Sequence, residues 1–411
     1  LMTKSVLRKS LCAALAAAGL MLGSPAQAAT VNVAQQLTGT NQWYRTNIYV
    51  LNGAVFVLSN AVLNIEAGTV IKGHNLGGDG TNVAALYICQ GGKIYAEGTP
   101  QNPIIFTADV DDTTLPDDQA LWGGSARGLW GGLVLLGNAT INSATLVAGD
   151  GASPKYEVYE GLTDITVGGQ QVFRYGGTND DDNSGVLRYV SLRHGGAVLA
   201  PNKEINGLSL GAVGRGTTIE YVEAYCFADD GFEFFGGTVN TKYLVSSFND
   251  DDSFDTDMGY RGTNQFWFAI QAPDKRNYGF ELNGQLNEVT SSANPASPRT
   301  PMGTFKVYNM TLIGAGAGST VVNGGNDYGI ALRPYASPTI ENAILTDFNG
   351  ATGILLDTAG GLPATNCWTA GYATLKNTLW WNFSAAGVST NNTPISLGGG
   401  TLATNWFTTV S

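Results

Sequence analysis

Apolar and polar positions alternate along this chain in short runs that recur in one frame. Gly231-Phe232-Glu233-Phe234, Ser253-Phe254-Asp255-Thr256 and Gly279-Phe280-Glu281-Leu282 share it. Gly207-Leu208-Ser209-Leu210, Gly329-Ile330-Ala331-Leu332 and Gly353-Ile354-Leu355-Leu356 fit it as well. Taking Leu208, Phe232, Phe254, Phe280, Ile330 and Ile354 as equivalent gives steps of 24, 22, 26, 50 and 24 residues, where the 50 reads as two turns with one hidden. An apolar residue flanked by polar or small ones is the period-2 signature of a strand with one buried face. One short strand per period of twenty-odd residues is the signature of a solenoid.

Two further series advance at the same pitch. Ile219-Glu220-Tyr221-Val222, Thr241-Lys242-Tyr243-Leu244 and Asn264-Gln265-Phe266-Trp267 form one. Val307-Tyr308-Asn309-Met310-Thr311, Ile340-Glu341-Asn342-Ala343-Ile344 and Leu375-Lys376-Asn377-Thr378-Leu379 form the other, with Asn at the centre, where stacked amides can bond along a ladder. Several sheets sharing one pitch predict coils stacked about 4.8 Å apart rather than a sandwich. The predicted fold is all-β, a single-stranded parallel solenoid.

Composition fits such a coil. Glycine supplies 55 of 411 residues, nearly double the usual share of about 7%, and it clusters between the β-runs, where corners need conformations other residues reach at a cost. With 43% apolar residues the chain is no disordered linker. The first coils are expected from about Tyr49 through Ile105 after a lead-in at 29–48, with an acidic loop at 109–118 and a Gly/Asp-rich excursion at 141–180. Regular coils follow from Val186 to about Leu356, interrupted by a Ser/Pro loop at 291–302. From about residue 357 the end is irregular, with Leu375 to Asn382 as a last coil.

Residues 1–28 read as a signal peptide: Lys4, Arg8 and Lys9 precede an apolar run at 11–22, and Ala26-Gln27-Ala28 offers a cleavage site. Export is the expected localisation, to the periplasm, the cell surface or the medium, with 29–411 as one β-helix domain. No later stretch is long and apolar enough for a transmembrane span. Removing 1–28 leaves 18 Lys and Arg against 33 Asp and Glu, a net charge near −15, which argues against nucleic acid as a partner. Cys89, Cys226 and Cys367 remain, an odd number best read as buried small apolar groups.

The negative charge is concentrated. Asp229, Asp230 and Glu233 occupy one turn, and Asp250, Asp251, Asp252, Asp255 and Asp257 the next. Asp230 and Asp252 each sit two residues before an equivalent Phe, and Glu233 and Asp255 one after, so like carboxylates fall on adjacent rungs. At about 5 Å such groups repel unless a proton or a cation lies between them. Calcium, a hard cation with 6–8 oxygen ligands, suits the set, and these eight residues are its expected ligands.

Asp229-Asp230-Gly231-Phe232-Glu233 and Asp250-Asp251-Asp252-Ser253-Phe254-Asp255 resemble the Asp-Asp-Gly-Phe-Asp calcium motif of the pectate-lyase-like β-helix superfamily. That resemblance implies a right-handed parallel β-helix, a cleft calcium that joins an acidic polysaccharide, and a Lys or Arg that abstracts the C5 proton. It makes Asp229, Asp230 and Glu233 ligands. Asn277-Tyr278-Gly279-Phe280-Glu281-Leu282 resembles the segment that supplies the catalytic Lys, but Glu281 stands in its place. The stretch from Val62 through Gly262 is also similar to a group of secreted bacterial β-helix proteins of the cell surface.

Two functions follow as expectations. One is a non-catalytic, calcium-stabilised protein of the surface or matrix that binds a glycan or self-associates, with Glu281, Arg261, Trp267, Lys275 and Arg276 as substrate-binding residues and Phe227, Phe235 and Tyr260 as further aromatic candidates. The other is a carbohydrate-active enzyme: a lyase using Arg261, Lys275 or Arg276 as base, or an inverting glycosidase with carboxylates about 6.5–9.5 Å apart. Gly207-Leu208-Ser209-Leu210-Gly211 matches a serine-hydrolase pattern but lies in a strand frame without the following helix that the elbow requires. His74 and His194 are too few for a histidine metal site.

Overall fold

The computed structural model describes residues 28–74, 82–115, 126–143, 154–200, 203–285, 299–316, 319, 328–348, 353–357, 364–382, 395–397 and 400–401. Nearly all of the expected signal segment, the end of the acidic loop at 116–118 and most of the Ser/Pro loop lie outside the described residues.

Two long sheets wind together. Among the described residues the front sheet has twelve strands, including Ala54–Val57, Ala85–Ile88, Leu133–Leu136, Leu208–Gly211, Phe232–Phe235, Phe254–Asp257, Phe280–Leu282, Ile330–Leu332 and Ile354–Leu356. The back sheet has sixteen. Within both, neighbouring strands are parallel, save a final antiparallel pair at Ile395–Leu397 and Gly400–Thr401. The register matches the sequence frame, since Leu208 pairs with Phe232, Phe232 with Phe254, and Phe254 with Phe280. The fold is a parallel β-helix, and among its described residues no helix is long and apolar enough to cross a membrane.

Two sequence expectations need correction. The 50-residue step is one turn, not two, because Phe280–Leu282 is followed on the next rung by Ile330–Leu332 and their partner residues are adjacent. A long insertion within the turn, not a hidden rung, lengthens the step. The lead-in at 29–48 is already coil: Ala29–Asn32 pairs in parallel with Asn47–Leu51, and Thr40–Trp43 with Val62–Ile65.

Side chains pointing into the coil make one continuous core. Phe232, Phe254 and Phe280 are fully buried, with Phe232 stacked on Phe254 at 5.4 Å. Trp267 belongs to this core, its ring 4.4 Å from that of Phe254 and its indole N–H donating to Thr241 Oγ1 at 2.8 Å. From Tyr189 (48°) onward, successive back-sheet turns bend at a residue with positive φ: Tyr221 (56°), Tyr243 (56°), Phe266 (60°), Asn309 (57°), Asn342 (59°) and Asn377 (53°). A left-handed backbone is costly for a bulky side chain. Stacking offsets that cost here, for the Tyr221 and Tyr243 rings lie 4.3 Å apart and those of Tyr243 and Phe266 4.7 Å. The expected Asn ladder takes over on later rungs, with Asn342 donating to Asn309 at 3.3 Å and Asn377 to Asn342 at 3.1 Å.

The excursion leaves the coil and returns over the outer face of the front sheet. Its antiparallel ribbon, Lys155–Val158 with Arg174–Gly177, brings Tyr159, Phe173 and Tyr175 against Phe56, Tyr87 and Phe235 to form a second buried cluster. This cover sets one wall of the site described next.

Candidate metal centre

One outward-facing column of the front sheet can be followed rung by rung through the register. It runs Phe56, Tyr87, Val134, Ser209, Glu233, Asp255, Glu281, Ala331 and Leu355. The three acids occupy adjacent rungs because each follows the inward Phe of its tetrad. The turns that precede these strands add Asp229, Asp230, Asp250, Asp251 and Asp252. Together with Glu160, Glu204, Lys275, Asn277 and Arg333 they line a cavity of about 720 Å³.

The backbone fixes several of these carboxylates. Asp230 Oδ1 accepts the Asp252 N–H at 2.8 Å, and Asp252 Oδ1 accepts the Tyr278 N–H at 2.6 Å, so each rung ties the acid of the one before. Glu233 accepts a hydrogen bond from Asn206, and Tyr159 shares one with Ser209 at 2.8 Å. The two cations both pair with acids. Arg333 donates twice to Glu281, at 2.8 and 3.0 Å, and lies 3.4 Å from Asp357, while Lys275 stands 3.4 Å from Asp250.

Ten carboxylates against two cations leave the cavity short of positive charge. Burial first, and then neighbouring carboxylates, push the carboxyls of Asp229, Asp230, Glu233, Asp252 and Asp255 well above the usual range. Asp251 is raised mainly by burial, with an opposing hydrogen bond from Asn277. Burial lifts Glu160 to about 7 against the pull of Lys203, and it raises Glu204, with Asp251 adding to the effect.

Two groups of carboxylates converge. Oxygens of Asp229, Asp230 and Asp251 lie within 4.8 Å of one another, and so do those of Asp230, Glu233 and Asp255. That span is about twice a Ca–O distance of 2.3–2.6 Å, so one ion can touch all three oxygens of a group. Asp251 Oδ1 and Asp255 Oδ1 are shut off from solvent and, among the described residues, these two oxygens meet no hydrogen-bond donor. Buried acceptors of this kind are costly, and a hard cation satisfies them. The donor set is all oxygen, and it fits calcium.

Of the eight expected ligands, Asp229, Asp230, Glu233, Asp251 and Asp255 form these groups, while Asp250 and Asp252 line the cavity beside them. Asp257 does not line it: the carboxylate is buried and accepts the Met258 N–H at 2.5 Å. Among the expected substrate-binding residues, Glu281 and Lys275 line the cavity and three others do not. Trp267 is locked in the core. Arg261 is committed to Asp180 at 3.0 Å through two nitrogens, and Arg276 is buried with its guanidinium on the Pro273 carbonyl and Ser319. Phe227, Phe235 and Tyr260 are likewise buried and serve packing. Ser209 sits mid-strand without an elbow.

Glu160, Glu204 and Arg333 escaped the sequence reading. Arg333 follows Leu332, the partner of Leu282, so the repeat frame already placed it on the outward face. Glu160 and Glu204 come from segments outside the repeat and carry no periodic signal.

The family model of the pectate-lyase-like β-helix domain matches residues 35–377. No curated protein matches the sequence. Among solved structures, Escherichia coli YbhC aligns at a TM-score of 0.38 and 9% identity over 89% of this chain and 87% of that one. Rice weevil pectin methyl esterase aligns at 0.30 and 11%, over 80% and 82%. Both scores are too low to inform fold or activity, and the assignment rests on the family model and the coil itself. The chain belongs to the pectate-lyase-like β-helix domain family.

Proposed function

We propose that this is an exported calcium-binding β-helix protein of the cell surface or extracellular matrix whose acidic cleft receives a glycan without lyase chemistry. The observation that carries the reading is the convergence of Asp230, Glu233 and Asp255 from two adjacent rungs, with the Asp255 Oδ1 acceptor unmet. Calcium bound there would neutralise the cluster and offer coordination positions to sugar oxygens. Asp230, Glu233 and Asp255, with Asp229 and Asp251, would hold it.

Proton abstraction from a sugar carbon needs an accessible base. Glu281 stands where the resemblance calls for Lys, and it is held by Arg333. Against its burial, which favours deprotonation, contacts with Glu281 and Asp357 hold the Arg333 guanidinium protonated, which works against its serving as base. Lys275 faces Asp250. We expect calcium-dependent retention on a panel of acidic and neutral glycans, lost with chelator, and no ultraviolet absorbance from unsaturated uronides on polygalacturonate. Retention unaffected by chelator would overturn the calcium role, unsaturated products would establish a lyase, and new reducing ends without unsaturated products would establish a glycosidase.

A further inference from the structure

Of the eleven large hydrophobic side chains that stand exposed among the described residues, six lie on one side of the back sheet: Tyr221, Tyr243 and Phe266 at its bend, and Ile344, Leu379 and Trp381 beyond it. We propose that this face is where two copies of the chain meet, antiparallel, in a two-fold dimer. The calcium reading plays no part in this.

Register builds the face. Past the bend each strand sends alternate residues inward, where Ala269, Leu312 and Leu345 join the core, so their neighbours point outward in two columns. One column runs Val245, Phe268, Thr311, Ile344 and Leu379, and the other Ser247, Ile270, Ile313, Thr346 and Trp381. On earlier rungs the same columns are polar: Arg193 donates to Ser191 and Ser191 to Glu223, each at 2.7 Å. The inward residues close the core whatever stands outside, so folding does not require the change to apolar residues. A contiguous exposed apolar face of this kind marks a contact surface.

Three features select a second copy as the occupant. No residue of the two columns from Val245 and Ser247 onward is charged, so two chains of net charge −12 can meet there without placing like charges in contact. At about 100 Å² for each of the six exposed side chains, and less for the others, the face offers roughly 600–800 Å², near the ~800 Å² per partner of a standard interface. The face also matches itself. A two-fold axis across the rung of Thr311 and Ile313 sets Val245 against Leu379 of the partner subunit and Phe268 against Ile344 of the partner subunit, apolar on apolar, with Ile313 against its own counterpart.

Sedimentation equilibrium of the purified full chain over a range of concentrations should give a reversible dimer of twice the chain mass. Ile344→Asp and Leu379→Asp should each weaken association at least tenfold, with circular dichroism and melting temperature unchanged because both side chains are exposed in the single chain. Tyr44→Asp, at an exposed residue of the first coil, should leave association unchanged. Orientation is read by cross-linking under copper phenanthroline: Thr311→Cys should form a disulfide between copies, whereas Leu379→Cys should not, since its counterpart lies four rungs, about 19 Å, away. A monomer at every concentration, or a dimer that survives both Asp substitutions, would overturn the proposal. Cross-linking through Leu379→Cys and not Thr311→Cys would overturn the antiparallel arrangement. A monomer that binds phosphatidylcholine vesicles, and releases them on Leu379→Asp, would assign the face to lipid instead.

Discussion

The outward column of the front sheet has two halves with the same backbone and opposite chemistry. On early rungs Phe56, Tyr87 and Val134 are buried beneath Tyr159, Phe173 and Tyr175 of the excursion. On later rungs the equivalent positions are Glu233, Asp255 and Glu281, which face the cavity, where the excursion adds Glu160 rather than an apolar cover. Within this column the boundary falls at Ser209, whose hydroxyl meets Tyr159, while two residues further along the strand the excursion's Tyr159 and Tyr175 still pack on Phe235 of the next rung. A parallel coil leaves this column free of any folding requirement, because the inward Phe and Leu positions close the core regardless. The sequence can therefore spend the outward positions on packing at one end and on charge at the other.

Each half predicts a different response. The largest effect belongs to the covered end: Phe173→Ala empties a buried aromatic site and should cost about 3–5 kcal/mol in chemical denaturation, to the same extent with and without calcium. Next comes the acidic end in metal-free protein. Its carboxyls titrate higher in the folded than in the unfolded state, so the folded protein holds protons that the unfolded chain has released. The stability is therefore present below about pH 4 and is lost as pH rises, through about 7 for Glu160. Melting temperature measured from pH 4 to pH 8 should fall without calcium and stay nearly level with it; a metal-free profile that rises with pH would break the comparison.

Asp255→Asn removes one repelling charge. At pH 8 it should stabilise metal-free protein by about 1–2 kcal/mol and shrink the gain from calcium. The smallest effect is at the boundary, where Tyr159→Phe deletes one buried hydrogen bond to Ser209 and should cost about 1 kcal/mol in urea unfolding, with calcium affinity unchanged.

The comparison also explains what the sequence could reveal. The rungs at Leu208, Phe232, Phe254 and Phe280 were legible because every turn must present the same inward residue class to the same core. The stacked acids were legible for the same reason, as they ride one residue behind those anchors. Insertions hide what the period does not govern. The extra residues between Leu282 and Ile330 imitated an additional turn, and Glu160 and Glu204 reach the cavity from segments with no repeat to place them. Trp267 and Tyr260 were misleading as recognition residues because aromatics beside an acidic motif look alike in sequence whether they point inward or outward. Register decides, and Trp267 follows the left-handed Phe266 that turns it into the core.

The central claim is that the uncovered half is completed by calcium. Purified protein at pH 7.5 should contain calcium by elemental analysis and should melt at a lower temperature after chelation, with stability restored by added calcium by about 2.7 kcal/mol at a hundredfold excess over Kd. Phe173→Ala should show the same increment, because the covered half takes no part. Coincident melting curves with and without chelator, in protein that retains no metal, would contradict the account.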